Sequence, residues 1–230
     1  MARLFIAKID DFLSEDGKLI EEKSERARLH LPSYRVERIE RFGQAADKAR
    51  SIVAGLLLLE GYRRFVGSPS ATLPDIILAD KEKPYFAIDT GVHFNISHSG
   101  QYVVCAYANA PVGIDVQEHK NLKEHFIKRI FSLEEQDYVR MLPADQQGKA
   151  YMDFYALKEA YVKYTGEGMS RSFGELSMKT LLLSGEEQID GSRICGKLFE
   201  LELPEYSLAI TTTEEIKHIA GEYITQFSVG

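Results

Sequence analysis

FYALKEAYVKYTGEG, residues 154–168, carries an apolar face and a charged face on the same helical period. At about 100° per residue, Phe154, Leu157, Tyr161 and Tyr164 gather on one stripe, while Glu159 and Lys163, four apart, share the opposite side. Gly166 and Gly168 mark where such a helix stops. On its own, the charged pair reads as an exposed i,i+4 ion pair worth about 0.2–0.5 kcal/mol to the helix. Whether it does chemistry depends on what the rest of the chain brings to it.

Working upstream, Ser132-Leu133-Glu134-Glu135 has the pattern of a capping box, with Ser132 as N-cap and Glu135 at the third helical position. That helix runs to Met141 and stops at Pro143, after which Asp145 is placed to cap the long helix ending near Gly166. Leu122 to Ile130 is amphipathic and Phe131 closes it. In VGIDVQ, residues 112–117, the strand period turns Val112, Ile114 and Val116 one way and Gly113, Asp115 and Gln117 the other. Asp115 beside Gln117 offers a carboxylate and an amide oxygen, ligands that suit a hard cation such as Mg²⁺; a polar face turned to water is the plainer alternative. Gly113 permits close approach of another backbone. FNISHSG, residues 94–100, sets small polar side chains and a turn-forming Gly100 ahead of the apolar run Tyr102 to Tyr107, so Asn95 and the serines read as the end of a strand. His98 there is either a hydrogen-bonded structural histidine or a ligand-binding one.

The first third of the chain is locally basic. Arg26, Arg28, Arg35, Arg38, Arg41, Lys48 and Arg50 outweigh Glu37, Glu40 and Asp47, a balance that suits either a small ligand carrying several phosphates or a solvated helix face. Arg3 to Ile9 reads as a first strand, Ile20 to Leu29 as a charged helix, Ala45 to Phe65 as a long central helix and Ile76 to Ala79 as a short strand before a polar turn at residues 81–84. Beyond the long second helix, Phe173 to Met178, Lys197 to Leu203, Ser207 to Thr212 and Tyr223 to Val229 read as strands, with a short helix around Glu214 to Ala220. Strands surround a long helix in both halves, the pattern of a duplicated α+β unit.

With 230 residues, 44% hydrophobic and 27% charged, the composition is that of a globular chain with a sizeable core. A formal net charge of −7 argues against general nucleic-acid binding. No stretch approaches a membrane span, and the start, MARLFIAKIDDF, lacks the features of a signal peptide, so the expected compartment is the cytoplasm with no membrane partner. Cys105 and Cys195 lie in apolar surroundings and are expected as free thiols.

Four stretches stand in a fixed order: Lys83-Pro84, FNISHSG, VGIDVQ and FYALKEAYVK. Together they resemble the Sfp-type 4′-phosphopantetheinyl transferase family, whose monomeric form suits this length. The resemblance implies an α+β fold of two similar halves related by pseudo-twofold symmetry. Residues 1–110 would form the half that grips the coenzyme A nucleotide, residues 111–230 the half that carries the metal site and catalytic helix, with the active site at their junction. It implies transfer of the phosphopantetheine arm of coenzyme A to a serine of an apo acyl or peptidyl carrier protein, with release of 3′,5′-ADP and with Mg²⁺, or Mn²⁺, as cofactor. By the family pattern Asp115, Gln117 and Glu159 meet the metal, Glu159 or a water beside it takes the serine proton, and Lys163 binds phosphate and helps the leaving group. Lys158 is a further phosphate ligand by the same pattern, and Arg35, Arg38, Arg50, Lys83, Ser97 and His98 complete the nucleotide grip. Two residues depart from the pattern: family members often have an acid at the position of Gln117, and a tryptophan at that of Tyr155. The carrier is expected on the segment from Asn121 to Met141. A binding module that holds coenzyme A or a carrier without catalysis, and a Mg²⁺-dependent phosphoryl-group enzyme such as a nucleotide pyrophosphatase, are the competing readings.

Overall fold

A computed structural model of the chain describes residues 1–78, 83–168, 173–216 and 218–227. Its first half runs β1 (Arg3–Lys8), α1 (Glu21–Arg28), α2 (Ser33–Arg41), α3 (Ala45–Val66), β2 (Ile76–Leu78), β3 (Pro84–Phe86), β4 (His93–Ser99) and β5 (Tyr102–Ala108). The second runs β6 (Val112–Glu118), α4 (Glu124–Ile130), α5 (Leu133–Arg140), α6 (Ala144–Thr165), α7 (Lys179–Ser184), β7 (Glu186–Ile189), β8 (Ser192–Phe199) and β9 (Tyr206–Thr212), with β10 (Gly221–Tyr223) last.

The two halves repeat one connectivity. In each, the first strand pairs antiparallel with the last, β1 with β5 and β6 with β9, and the last pairs with its predecessor, β4 or β8. In each, two short helices precede a 22-residue helix, α3 or α6. The strand orders are β10-β1-β5-β4 and β6-β9-β8-β7. The turn at residues 109–111 separates β5 from β6, but β10 pairs parallel with β1, so the end of the chain is tied into the first half's sheet.

Period-two alternation explains the layering. Leu4, Ile6, Val104 and Ala106 of one sheet meet Val112, Ile114, Val116, Leu208 and Ile210 of the other in a shared core. On the outer face of the first sheet, Phe5, Val103, Cys105 and Tyr107 pack against Ile52, Val53, Leu56 and Leu57 of α3. On the second, Phe154, Leu157, Ala160 and Tyr161 of α6 join Ala209 and Ile194. Each fully buried Val, Leu, Ile or Phe contributes about 1.5–3 kcal/mol relative to an exposed one. Both cysteines are buried, and neither forms a disulfide among the described residues.

Several local expectations change. FNISHSG ends a strand as expected, but its polar residues are part of the strand rather than a turn after it: Phe94 to Ser99 complete β4, and Gly100, at φ +52°, makes the turn. Residues 173–178 form a 3-10 turn at Phe173–Glu175 and irregular chain, not a strand, because the Phe173 and Leu176 carbonyls bond a lysine side chain. The strand expected at 197–203 begins earlier, at Ser192, after a hairpin turn in which Asp190 and Gly191 adopt φ +50° and +79°. An Asp-Gly pair is a hairpin signal, so β7 and this turn were legible. The capping box forms as expected, but Pro143, not Asp145, occupies the N-cap of α6. Among the described residues between 214 and 220 there is no helix, and the strand expected to reach Val229 ends at Tyr223. Ala79, Lys81, Glu82 and Val229 lie outside the described residues.

Candidate active site

The site begins with a glycine. A Cβ on Gly113 would stand 1.9 Å from the Ala160 carbonyl oxygen and 2.4 Å from the Tyr164 amide nitrogen, so only glycine lets β6 lie directly against the backbone of α6. Two residues on, and on the same face, Asp115 then meets Lys163. Asp115 is 1% exposed. Its Oδ1 accepts from Lys163 Nζ at 2.5 Å and from Ser97 Oγ at 2.8 Å, and its Oδ2 from the Gln117 amide at 2.7 Å. Lys163 also reaches Ser97 Oγ at 2.9 Å. The partner of Lys163 is therefore a carboxylate on a separate strand.

Alternate side chains of β4 hold β6 in place. The Ile114 amide donates to Asn95 Oδ1 at 3.0 Å, Val116 to Ser97 Oγ at 3.4 Å and Glu118 to Ser99 Oγ at 3.0 Å. These side chains stand in for the backbone ladder the two sheets lack at their junction. That is the physical reason for small polar residues at every second position of FNISHS, and it carries Ser97 to Asp115.

Glu159 is half-buried on α6, facing the same cleft. Burial, and then the negative charge of Asp115, push its carboxyl pKa up, while Lys163 and the Tyr155 hydroxyl pull it down. Tyr155, also half-buried, has its phenol pKa raised by burial and then by Glu159. A carboxyl whose protonation is favoured by a neighbouring carboxylate marks a natural seat for a cation.

The cleft between the halves has a volume of about 480 Å³, and Arg35, Arg38 and His98 of the first half line it together with Glu159 and Lys163 of the second. Arg38 lies over the Phe42 ring, and Arg35 bonds Tyr34 Oη at 3.2 Å. The Nε of Arg35 and the Oγ of Ser51 are both buried on this wall without a protein hydrogen-bond partner. Buried orphans of this kind call for an explanation, and a bound polar ligand supplies one. Crowding by protein atoms, then the charges of Lys163, Arg50, Arg35 and Arg38, push the His98 pKa down to about 4, although the residue is exposed to solvent.

A family model described as the 4′-phosphopantetheinyl transferase superfamily matches residues 111–220, and one described as 4′-phosphopantetheinyl transferase, N-terminal, matches residues 20–110. The 4′-phosphopantetheinyl transferase psf-1 of Bacillus pumilus is 32% identical over 194 residues, covering 80% of this chain and 78% of its own. The chain belongs to the 4′-phosphopantetheinyl transferase superfamily. The transferase Sfp of Bacillus subtilis (strain 168) is 28% identical over 201 residues, 85% of this chain and 88% of its own. HetI of Nostoc sp. is 32% identical over 147 residues, 63% of this chain and 57% of its own.

Three basic residues expected to hold phosphate in this transferase are committed to protein partners. Lys158 is 0% exposed and points away from the cleft, where it pairs with Glu135 at 2.8 Å. Its position, four after Phe154 and three before Tyr161, puts it on the apolar stripe of α6, a signal the sequence held. Arg50 is committed to the Gly100 carbonyl at 2.8 Å and Asp47 at 2.6 Å, so it braces the turn behind His98 rather than lining the cleft. Lys83 lines the cleft but donates to the carbonyls of Lys163 and Tyr164, capping the negative end of α6, and burial lowers its pKa. Ser51 escaped sequence reasoning because a serine beside Arg50 in an apolar helix gives no pattern of its own.

Proposed function

We infer that this protein transfers the 4′-phosphopantetheine arm of coenzyme A to a serine hydroxyl of an apo acyl or peptidyl carrier protein. The serine oxygen bonds to the phosphorus bearing the pantetheine arm, the pyrophosphate P–O bond breaks, and 3′,5′-ADP leaves. The observation that carries the reading is the meeting of Asp115, Glu159 and Lys163 at one side of a cleft whose other wall presents Arg35 and Arg38. Glu159, its pKa raised, accepts the serine proton directly or through a water. Lys163 stabilises charge on the departing phosphate. Arg35, Arg38, the orphaned Ser51 hydroxyl and His98 grip the nucleotide and its 3′-phosphate. The first half thus holds the donor and the second the reacting groups.

Asp115, Glu159 and Gln117 all line this cleft, and their side-chain oxygens make a hard donor set that fits Mg²⁺, with Mn²⁺ as the softer alternative. When bound, the cation neutralises pyrophosphate charge. The carrier docks on α4 and α5, where Leu133 and Met141 are 76% and 84% exposed; Ile130 and Phe131 of the same segment are core. The protein acts as a monomer in the cytoplasm. No described helix is long and apolar enough to cross a membrane.

The test is incubation with coenzyme A, Mg²⁺ and a panel of apo carriers, followed by weighing each carrier. Gain of one phosphopantetheine arm supports the reading. Coenzyme A cleaved without any carrier would establish a pyrophosphatase instead, and coenzyme A bound but never consumed would establish a binding module.

A further inference from the structure

Lys158 precedes Glu159 in the chain yet, about 100° round α6 from it, lies outside the cleft lining, where every hydrogen of its ammonium has an acceptor. Nζ lies 2.8 Å from Glu135 Oε2 and 2.6 Å from the Phe173 carbonyl, and also bonds the Leu176 carbonyl. Glu135 is equally engaged. Its Oε2 accepts the Ser132 amide at 2.8 Å, closing the capping box of α5, and its Oε1 accepts the Met178 amide at 2.8 Å. Both side chains are 0% exposed. One buried ion pair therefore joins the N-terminus of α5, the chain returning from α6, and α6 itself at the residue before Glu159.

What the pair joins lies on the acceptor side of the molecule. Neither α5 nor residues 173–178 contribute to the wall of the donor cleft. Tyr155, which lines the cleft, connects this side to it: its ring meets Phe173 edge-on at 6.5 Å and Phe126 of α4 at 5.6 Å. Hence α4, α5 and the returning chain form a layer that ends beside Glu159, with the exposed Leu133 and Met141 on its outer surface.

We propose that Lys158 and Glu135 are positioning residues for the acceptor: through the carbonyls of Phe173 and Leu176 and the cap of α5, they hold the carrier-docking layer in register with Glu159. Lys158 then governs where the acceptor serine arrives and leaves donor binding untouched. This rests on the transferase reading above. An unpaired buried charge is costly, whereas a neutral pair of similar volume is tolerated, so the two residues act as a unit.

The test compares Lys158→Met with the double variant Glu135→Gln/Lys158→Met in the full chain. Coenzyme A affinity is read by calorimetric titration without carrier, and KM for carrier and for coenzyme A by steady-state transfer. In Lys158→Met, kcat/KM for the carrier falls at least tenfold while coenzyme A affinity stays within twofold of wild type. The double variant, relieved of the unpaired carboxyl, recovers at least threefold of that loss. Coenzyme A binding weakened tenfold in both variants would make Lys158 a donor ligand and overturn the proposal. So would unchanged carrier kinetics in both. Failure of the wild-type chain to load any carrier overturns the transferase reading itself, and a loading wild type with unchanged acceptor kinetics in the variants overturns the positioning role alone.

Discussion

Replacing Gly113 by alanine perturbs the site at the point where β6 and α6 touch, without altering a reacting group. The new Cβ would lie 1.9 Å from the Ala160 carbonyl oxygen and 2.4 Å from the Tyr164 nitrogen, and ordinary contact begins at 3.4 Å, so the helix or strand must retreat by about 1.5 Å. Both obstacles are backbone and cannot rotate away. Overpacking of this kind costs about 1–3 kcal/mol. For a chain of this length each kcal/mol lowers Tm by about 2–4 °C, giving an expected fall of about 2–12 °C. The same retreat parts Asp115 from Lys163 and Glu159, and a misplacement of about 1 Å can cost about 100-fold in rate. Thermal unfolding by circular dichroism and single-turnover transfer with a loaded coenzyme A complex read the two effects separately. Gly148→Ala is the control: it lies in α6 with nothing within 4 Å of where the added methyl would stand, and should gain about 0.5–1 kcal/mol with unchanged rate. A Gly113→Ala protein that melts and turns over like wild type would refute the idea that the close approach of β6 and α6 sets the geometry of the site.

Other outcomes follow from the cleft. With its pKa held near 4 in the fold, against an ordinary 6.5, His98 is neutral at pH 7. The unfolded chain takes up its proton first, so this residue's contribution makes stability fall as pH drops from about 6.5 towards about 4; an NMR titration showing the His98 ring ionising near 6.5 would contradict this. Arg35→Ala and Arg38→Ala should each raise KM for coenzyme A about 10- to 100-fold, from loss of charge-assisted hydrogen bonds worth about 1.5–3 kcal/mol, and should erase most of the preference for coenzyme A over its 3′-dephospho analogue. An unchanged preference would remove the 3′-phosphate from that wall. Gln117→Glu turns an amide that donates to Asp115 into a third carboxylate; the expected result is a lower Mg²⁺ requirement in the transfer assay and a lower Tm in chelator.

The elements that sequence periodicity reveals are those whose burial follows their own repeat. The stripe of Phe154, Leu157 and Tyr161 is buried, and the alternation in VGIDVQ turns Asp115 towards α6 and Val116 towards the shared core. Gly113 as a point of close approach, and Ser132 with Glu135 as a capping box, were likewise readable from local chemistry. What was not readable depends on partners distant in the chain. Asn95, Ser97 and Ser99 look like turn-formers until β6 supplies the amides they accept from. Arg50, abundant in a basic stretch, finds Gly100 rather than the cleft. Lys158 resembles a phosphate ligand by motif, yet its place on the apolar stripe of α6 commits it to Glu135. In the basic stretch the arginines other than Arg35 and Arg38 that have partners find them in Glu22, Glu40 and Asp47, which no local pattern separates from the two that line the cleft.

Transfer of the phosphopantetheine arm to a carrier serine depends on Asp115 and Glu159, brought to one cleft from β6 and α6. The decisive experiment is mass spectrometry of an apo carrier after incubation with coenzyme A, Mg²⁺ and either the wild-type chain or folded Asp115→Ala and Glu159→Ala variants. The expected spectra show one added phosphopantetheine arm with the wild type and an unmodified carrier with either variant. A carrier modified equally by all three proteins would take both carboxylates out of the reaction.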